Sequence, residues 1–69
     1  MNEDVFEGKW LQLRGRIKEF WGDLTDDELD QIEGRRDRLA GKLQEKYGYS
    51  YQQADAEIDR FLRDIDASL

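Results

Sequence analysis

The sequence predicts an all-α fold, a small four-helix bundle of two crossed α-hairpins arising from an internal duplication. Three observations carry this reading. Apolar residues recur at three- and four-residue spacing, which gathers them on one face of a helix. Glu7-Gly8 followed by Gly15-Arg16-Ile17-Lys18-Glu19-Phe20-Trp21-Gly22 returns as Glu33-Gly34 followed by Gly41-Lys42-Leu43-Gln44-Glu45-Lys46-Tyr47-Gly48, displaced by 26 positions. A pattern that recurs at a fixed interval marks a repeated supersecondary unit. Finally, two capping-box signals fall where new helices would begin, and the chain has no proline to interrupt them.

The first helix is expected from about Glu3 to Trp21, with Asn2 as its cap and Glu3 and Asp4 beside the positive end of the helix dipole. Phe6, Trp10, Leu13, Ile17, Phe20, Trp21 and Leu24 form its apolar stripe, and Gly22 stands where a left-handed residue would end it. The second helix begins at Thr25-Asp26-Asp27-Glu28. There the Thr25 hydroxyl can accept from the Glu28 amide while the Glu28 carboxylate reaches back, and Leu24 can staple onto Leu29.

That helix is expected to stop near Gly34, the counterpart of Gly8, although fusion of the second and third helices through Gly34 is the main alternative. The third helix runs from about Arg35 to Tyr47 with Leu39, Leu43 and Tyr47 inward, and Gly48 closes it. Ser50-Tyr51-Gln52-Gln53 is a second, weaker capping box. The fourth stripe follows it as Tyr51, Ala54, Ile58, Phe61, Leu62, Ile65 and Leu69.

A chain of 69 residues builds one core and therefore one domain, residues 1–69. Its stability is expected to be on the order of 3 to 5 kcal/mol. No cysteine is present to reinforce that core, and secreted domains of this size usually rely on disulfides, so a cytoplasmic protein is expected. The acidic start Met1-Asn2-Glu3-Asp4 lacks the basic and apolar regions of a signal peptide, and no apolar run approaches a membrane span of about 20 residues.

Charge is abundant and uneven. Seventeen acidic against 11 basic residues give a net charge of −6, a sign that disfavours nucleic acid and anionic membranes at long range. Residues 25–33 carry five acids and no base, whereas residues 34–48 carry five bases and two acids. Within the basic stretch, Arg35, Arg38, Lys42 and Lys46 fall at spacings of three, four and four, along one edge of the third helix. Such a stripe could grip phosphates, or it could face the acidic second and fourth helices and flank the core with its aliphatic stems. Arg36 takes the place that Trp10 holds in the first half, and a carboxylate of the second helix is its expected partner.

The residue types of catalysis are sparse. With no His and no Cys, and with Thr25 and Ser50 already accounted for as caps, no nucleophile–base pair is legible, and an enzyme is not expected. Asp23, Asp26, Asp27, Glu28 and Asp30 cluster, but the glycine of a calcium loop is missing and dipole complementation explains them, so neither metal nor cofactor is expected. Gly15 and Gly41 are the remaining puzzle, because a mid-helix glycine costs about 1 kcal/mol against alanine. Either they admit close approach of another helix or partner, or they are relics of the repeat.

At this point the residues resemble the CsbD-like family of small bacterial stress-response proteins. Trp10, Gly15, the run W-G-x-L-T-D-D from Trp21 to Asp27, the group Ile32-Glu33-Gly34, and the run G-K-x-Q-x-x-Y-G from Gly41 to Gly48 carry the likeness, up to about Tyr49. The resemblance implies a bundle of crossed hairpins similar to sterile-alpha-motif-like folds, expression under general stress control, and no catalytic residue to transfer. The expected function is therefore a non-enzymatic, acidic stress-response domain, monomeric and off the membrane, that protects or binds an unknown macromolecular partner. The alternative is a nucleic-acid-binding module using Arg35, Arg38, Lys42 and Lys46.

Overall fold

The computed structural model describes residues 8–68, and the side chains of residues 8–65. Four α-helices follow one another among these residues: α1 (Trp10–Phe20), α2 (Asp26–Ile32), α3 (Arg36–Tyr47) and α4 (Tyr51–Ser68). The all-α bundle expected from the apolar spacing is thus the observed architecture. α3 packs most extensively on α4 and next on α2. The displacement of 26 that aligns the sequence repeat carries the first residue of α1 onto the first residue of α3. It also carries buried Leu13, Ile17 and Ile32 onto buried Leu39, Leu43 and Ile58. These correspondences are positional, and the internal duplication is an expectation from the sequence alone.

Two helix starts follow the local chemistry read from the sequence. Glu28 N donates to Thr25 Oγ1 at 3.1 Å while Thr25 N donates to Glu28 Oε1 at 3.0 Å, so both halves of the capping box are made. Ser50 and Gln53 repeat the arrangement at 2.9 and 3.1 Å ahead of α4. Gly48 adopts φ 71° and its N–H closes α3 on Gln44 O at 3.0 Å, the expected left-handed stop.

Two expectations are corrected and one alternative is ruled out. The first helix does not run unbroken from Glu3, because Lys9 has φ −107° and ψ 12°, and its carbonyl accepts the first bonds of α1 from Gln12 and Leu13. Gly8 before it weakens helical continuity there. Asn2, Glu3, Asp4 and Phe6, named for the start of that helix, lie outside the described residues, as does Leu69 at the other end.

Gly22 is not the left-handed residue of the α1 end, since the positive-φ glycines are Gly34 and Gly48. Trp21 ends the helix at φ −121° and ψ 81°, and Leu24 N then bonds Trp21 O at 3.1 Å to turn the chain. α2 stops just before Gly34, as expected, and the alternative of its fusion with α3 is ruled out. Glu33 at φ 54° and Gly34 at φ 78° are consecutive left-handed residues, a conformation no right-handed helix accommodates. Across this turn Arg35 N bonds Ile32 O at 3.0 Å.

Every helix contributes to one core. Leu13, Ile17 and Trp21 come from the first helix and its end, Leu29 and Ile32 from α2, Leu39 and Leu43 from α3, and Ile58 and Phe61 from α4, all at most 5% exposed. Among the described residues no polar or charged side chain is buried. Phe61 is the aromatic hub, with ring centroids 5.4 Å from Phe20 and 5.1 Å from Trp21. Tyr47 stacks on Tyr49 at 5.4 Å at the edge, and its hydroxyl oxygen accepts from Asp23 N at 3.4 Å.

Candidate functional site

The basic stripe lies along α3, which its apolar residues Leu39 and Leu43 seat against the core. That placement decides what the cations meet. Lys46 Nζ lies 3.0 Å from Glu28 Oε1, so the same carboxylate closes the α2 cap and accepts the stripe's last lysine. Arg38 donates to Gln31 O at 3.1 Å and lies 3.6 Å from Glu33 Oε2, at the other end of α2. Lys42 lies 3.7 Å from Glu45 on its own helix. Arg35, at the N-cap of α3, has a partner of its own. Arg38 and Lys46 therefore both turn toward α2, while Lys42 pairs along α3.

Arg36 departs from expectation. Its partners are not on the second helix but on α4, where Arg36 Nη2 reaches Asp55 Oδ1 at 2.7 Å, Asp59 Oδ1 at 2.8 Å and Asp55 O at 3.3 Å. The reason is geometric: Arg36 opens α3, and α3 packs most closely on α4. A guanidinium with several donors in a fixed fork suits two carboxylates one helical turn apart.

The electrostatics follow from these contacts. Burial works against the Arg36 charge, but its hydrogen bonds to Asp59 and Asp55 outweigh it and hold the guanidinium more firmly protonated. The hydrogen bond from Arg36 in turn lowers the Asp59 carboxyl below its ordinary range. Glu28 is lowered chiefly by the Thr25 backbone N–H and next by Lys46. Asp26 is lowered by its hydrogen bond with Lys18 at 2.7 Å.

Among the described residues, nothing makes Gly15 or Gly41 a close-contact site. A Cβ built on either meets no atom within 4 Å; Gly15 is exposed and Gly41 is half-buried. The acidic cluster of α2 is divided among cations, with Asp26 on Lys18, Asp30 on Arg14 at 2.9 Å and Glu28 on Lys46. No group of three or more His, Cys, Asp or Glu side chains converges to metal-holding distance among the described residues. None of the described helices is long and apolar enough to cross a membrane.

Fold and surface define a small all-α domain laced by ion pairs between its helices. The model of the CsbD-like family matches residues 4–56, and the chain belongs to that family. It is 56% identical over 61 residues to the UPF0337 protein PA4738 of Pseudomonas aeruginosa, covering 88% of this chain and 94% of the relative. It is 53% identical over 58 residues to the UPF0337 protein YjbJ of Escherichia coli K12, covering 84% of each. The corresponding match to the YjbJ protein of Salmonella typhimurium is 53% over 58 residues, covering 84% and 83%. No solved structure matches the chain.

Proposed function

We propose that this protein is a non-enzymatic, cytoplasmic stress-response domain that acts as a monomer by binding or protecting another macromolecule. The observation that carries this reading is the disposition of its charge. With 41% charged residues, the chain buries no acid or base completely among the described residues, and its ion pairs link neighbouring helices instead. Membership of the CsbD-like family supports the stress assignment through the likeness stated above. The test is protection in vitro. A labile dehydrogenase heated or dried with this protein should retain more activity than with an equal mass of an unrelated globular protein, and equal losses would refute the reading.

Nucleic-acid binding through Arg35, Arg38, Lys42 and Lys46 ranks second. Arg38, Lys42 and Lys46 already hold intramolecular carboxylates, which would have to be displaced. Four cations would give a salt slope of about −3.6 at most, with weak non-specific affinity. A fluorescence-anisotropy titration with duplex DNA at about 150 mM salt should show little binding. Micromolar or tighter binding that disappears when the four are changed to Gln would reverse the ranking.

A further inference from the structure

Between α1 and α4 runs an apolar groove that the sequence did not announce. It consists of two adjoining hollows of about 300 and 210 Å³, joined at Arg16 and Ile65 and floored by Leu13, Phe20, Phe61 and Ile65. From Lys9 to Phe20 it follows three turns of helix, about 16 Å at 1.5 Å per residue. Five residues of extended chain have that length. Phe20 is 40% exposed on it, although its ring also contacts Phe61.

The cations of α1 divide into two sets. Arg14 and Lys18 point to α2 and are paired with Asp30 and Asp26 at 2.9 and 2.7 Å. Lys9 and Arg16 line the groove instead, and neither enters an ion pair among the described residues. Glu19, also in no ion pair among the described residues, stands at the far end of the groove, and Asp64, which lines the same end, has a contact of its own. The uncommitted charge toward the Lys9 end is therefore positive, next to an apolar floor.

We propose that this groove binds an acidic, apolar polypeptide segment of another protein. A leucine-sized or aromatic side chain of the partner rests on Phe20 and Ile65, and a neighbouring carboxylate pairs with Arg16, with Lys9 adding attraction. This deepens the reading of the protein as a binding domain by giving that role a surface and a partner chemistry. Apolar burial supplies affinity, and the two cations select an acidic segment over a basic one.

The test is a titration of the full isotopically labelled chain, followed by amide chemical shifts, with an acetylated and amidated hexapeptide of alternating leucine and aspartate. Alternating leucine–lysine and alanine–aspartate peptides serve as comparisons. The leucine–aspartate peptide alone should shift Leu13, Arg16, Phe61 and Ile65, and Arg16→Glu should weaken it by about tenfold or more. Lys42→Gln, on another face, should leave binding unchanged, and Arg16→Gln gives an intermediate loss if charge is what matters. Equal binding of the lysine peptide, shifts elsewhere, or none at millimolar peptide would overturn the proposal. Shifts that grow with protein concentration alone would assign the groove to a second copy of this chain. Peptide binding and dehydrogenase protection are separate readouts, so either reading can fail without the other.

Discussion

Lys46 and Glu28 meet at 3.0 Å, which ties the last turn of α3 to the capping box that begins α2. One carboxylate thus serves both a helix start and a contact between helices. Lys46→Gln should lower the urea midpoint at low salt, and the difference should shrink as salt screens the pair. Thr25→Ala, which removes the hydroxyl acceptor, should cost about 1 kcal/mol with little salt dependence. Equal salt dependence of the two variants would show that Lys46 does not act through this contact.

Arg36 is the most heavily partnered cation described, with its guanidinium on Asp55 and Asp59 and its side chain only 19% exposed. Arg36→Ala should destabilise the fold by about 1.5 kcal/mol, more than the typical exposed pair. Asp59→Asn, which leaves the Asp55 bond in place, should cost less. Chemical denaturation followed by far-UV circular dichroism distinguishes the two, and a neutral Arg36→Ala would place the pairing outside the stability of the fold.

Ile17 is fully buried, at the position matched by Leu43 in the repeat. Ile17→Ala should cost about 2 to 5 kcal/mol, comparable with the whole stability expected for so small a domain. The variant should be largely unfolded at room temperature, and a loss below about 1 kcal/mol would be incompatible with a core role.

Glycines separate by their backbone. Gly15→Ala and Gly41→Ala should each stabilise α1 and α3 by about 0.5 to 1 kcal/mol, since both sites have open space and lie inside helices. Gly34→Ala should do the opposite by about 1 to 2 kcal/mol, because φ 78° strains an L residue. Thermal melts of the three variants give the signs directly. Destabilisation by Gly15→Ala would contradict the open helical surface described.

Acid should weaken the fold in a defined window. Asp26, Glu28 and Asp59 all have carboxyls lowered in the folded chain by Lys18, by Thr25 with Lys46, and by Arg36 respectively. A lowered folded pKa means that the stabilisation is complete above the unfolded value, about pH 4, and is lost as pH falls through the folded value. Melting temperature should therefore be steady from neutrality to about pH 5 and fall below about pH 4. Asp59→Asn should flatten the acid limb.

Most of the fold was legible because it is written in short-range chemistry. Thr25 with Glu28, Ser50 with Gln53, and the spacing of Leu39 and Leu43 are patterns within a few residues, and each behaves as its spacing indicates. The errors lie where a local signal had two outcomes. Gly22 and Gly48 are equivalents in the repeat, yet only Gly48 turns left-handed, because the backbone beyond Phe20 bends at Trp21 instead. α1 begins after Lys9 without any capping side chain to mark its start.

The candidate sites were less legible. The basic stripe of α3 could be read from its spacing, but which acids its members hold depends on how helices pack. Arg36 shows this plainly, since Asp55 and Asp59 lie 19 and 23 residues away. The groove at Arg16 was harder still, because its walls come from two helices far apart in the chain.

The ring cluster at Phe61 has an optical consequence. Trp21 is 3% exposed and meets Phe20 at 4.7 Å with the rings 71° apart, so its indole is held in a dry, fixed and asymmetric setting. Such an environment shifts indole emission to shorter wavelength and gives a near-ultraviolet dichroism signal that vanishes once side chains begin to reorient. Trp10, only partly buried against the core, contributes a second, wetter emission. The chain thus carries its own gauge of tertiary packing at Trp21, able to separate a state that keeps its helices but has lost its close packing from one that has lost both.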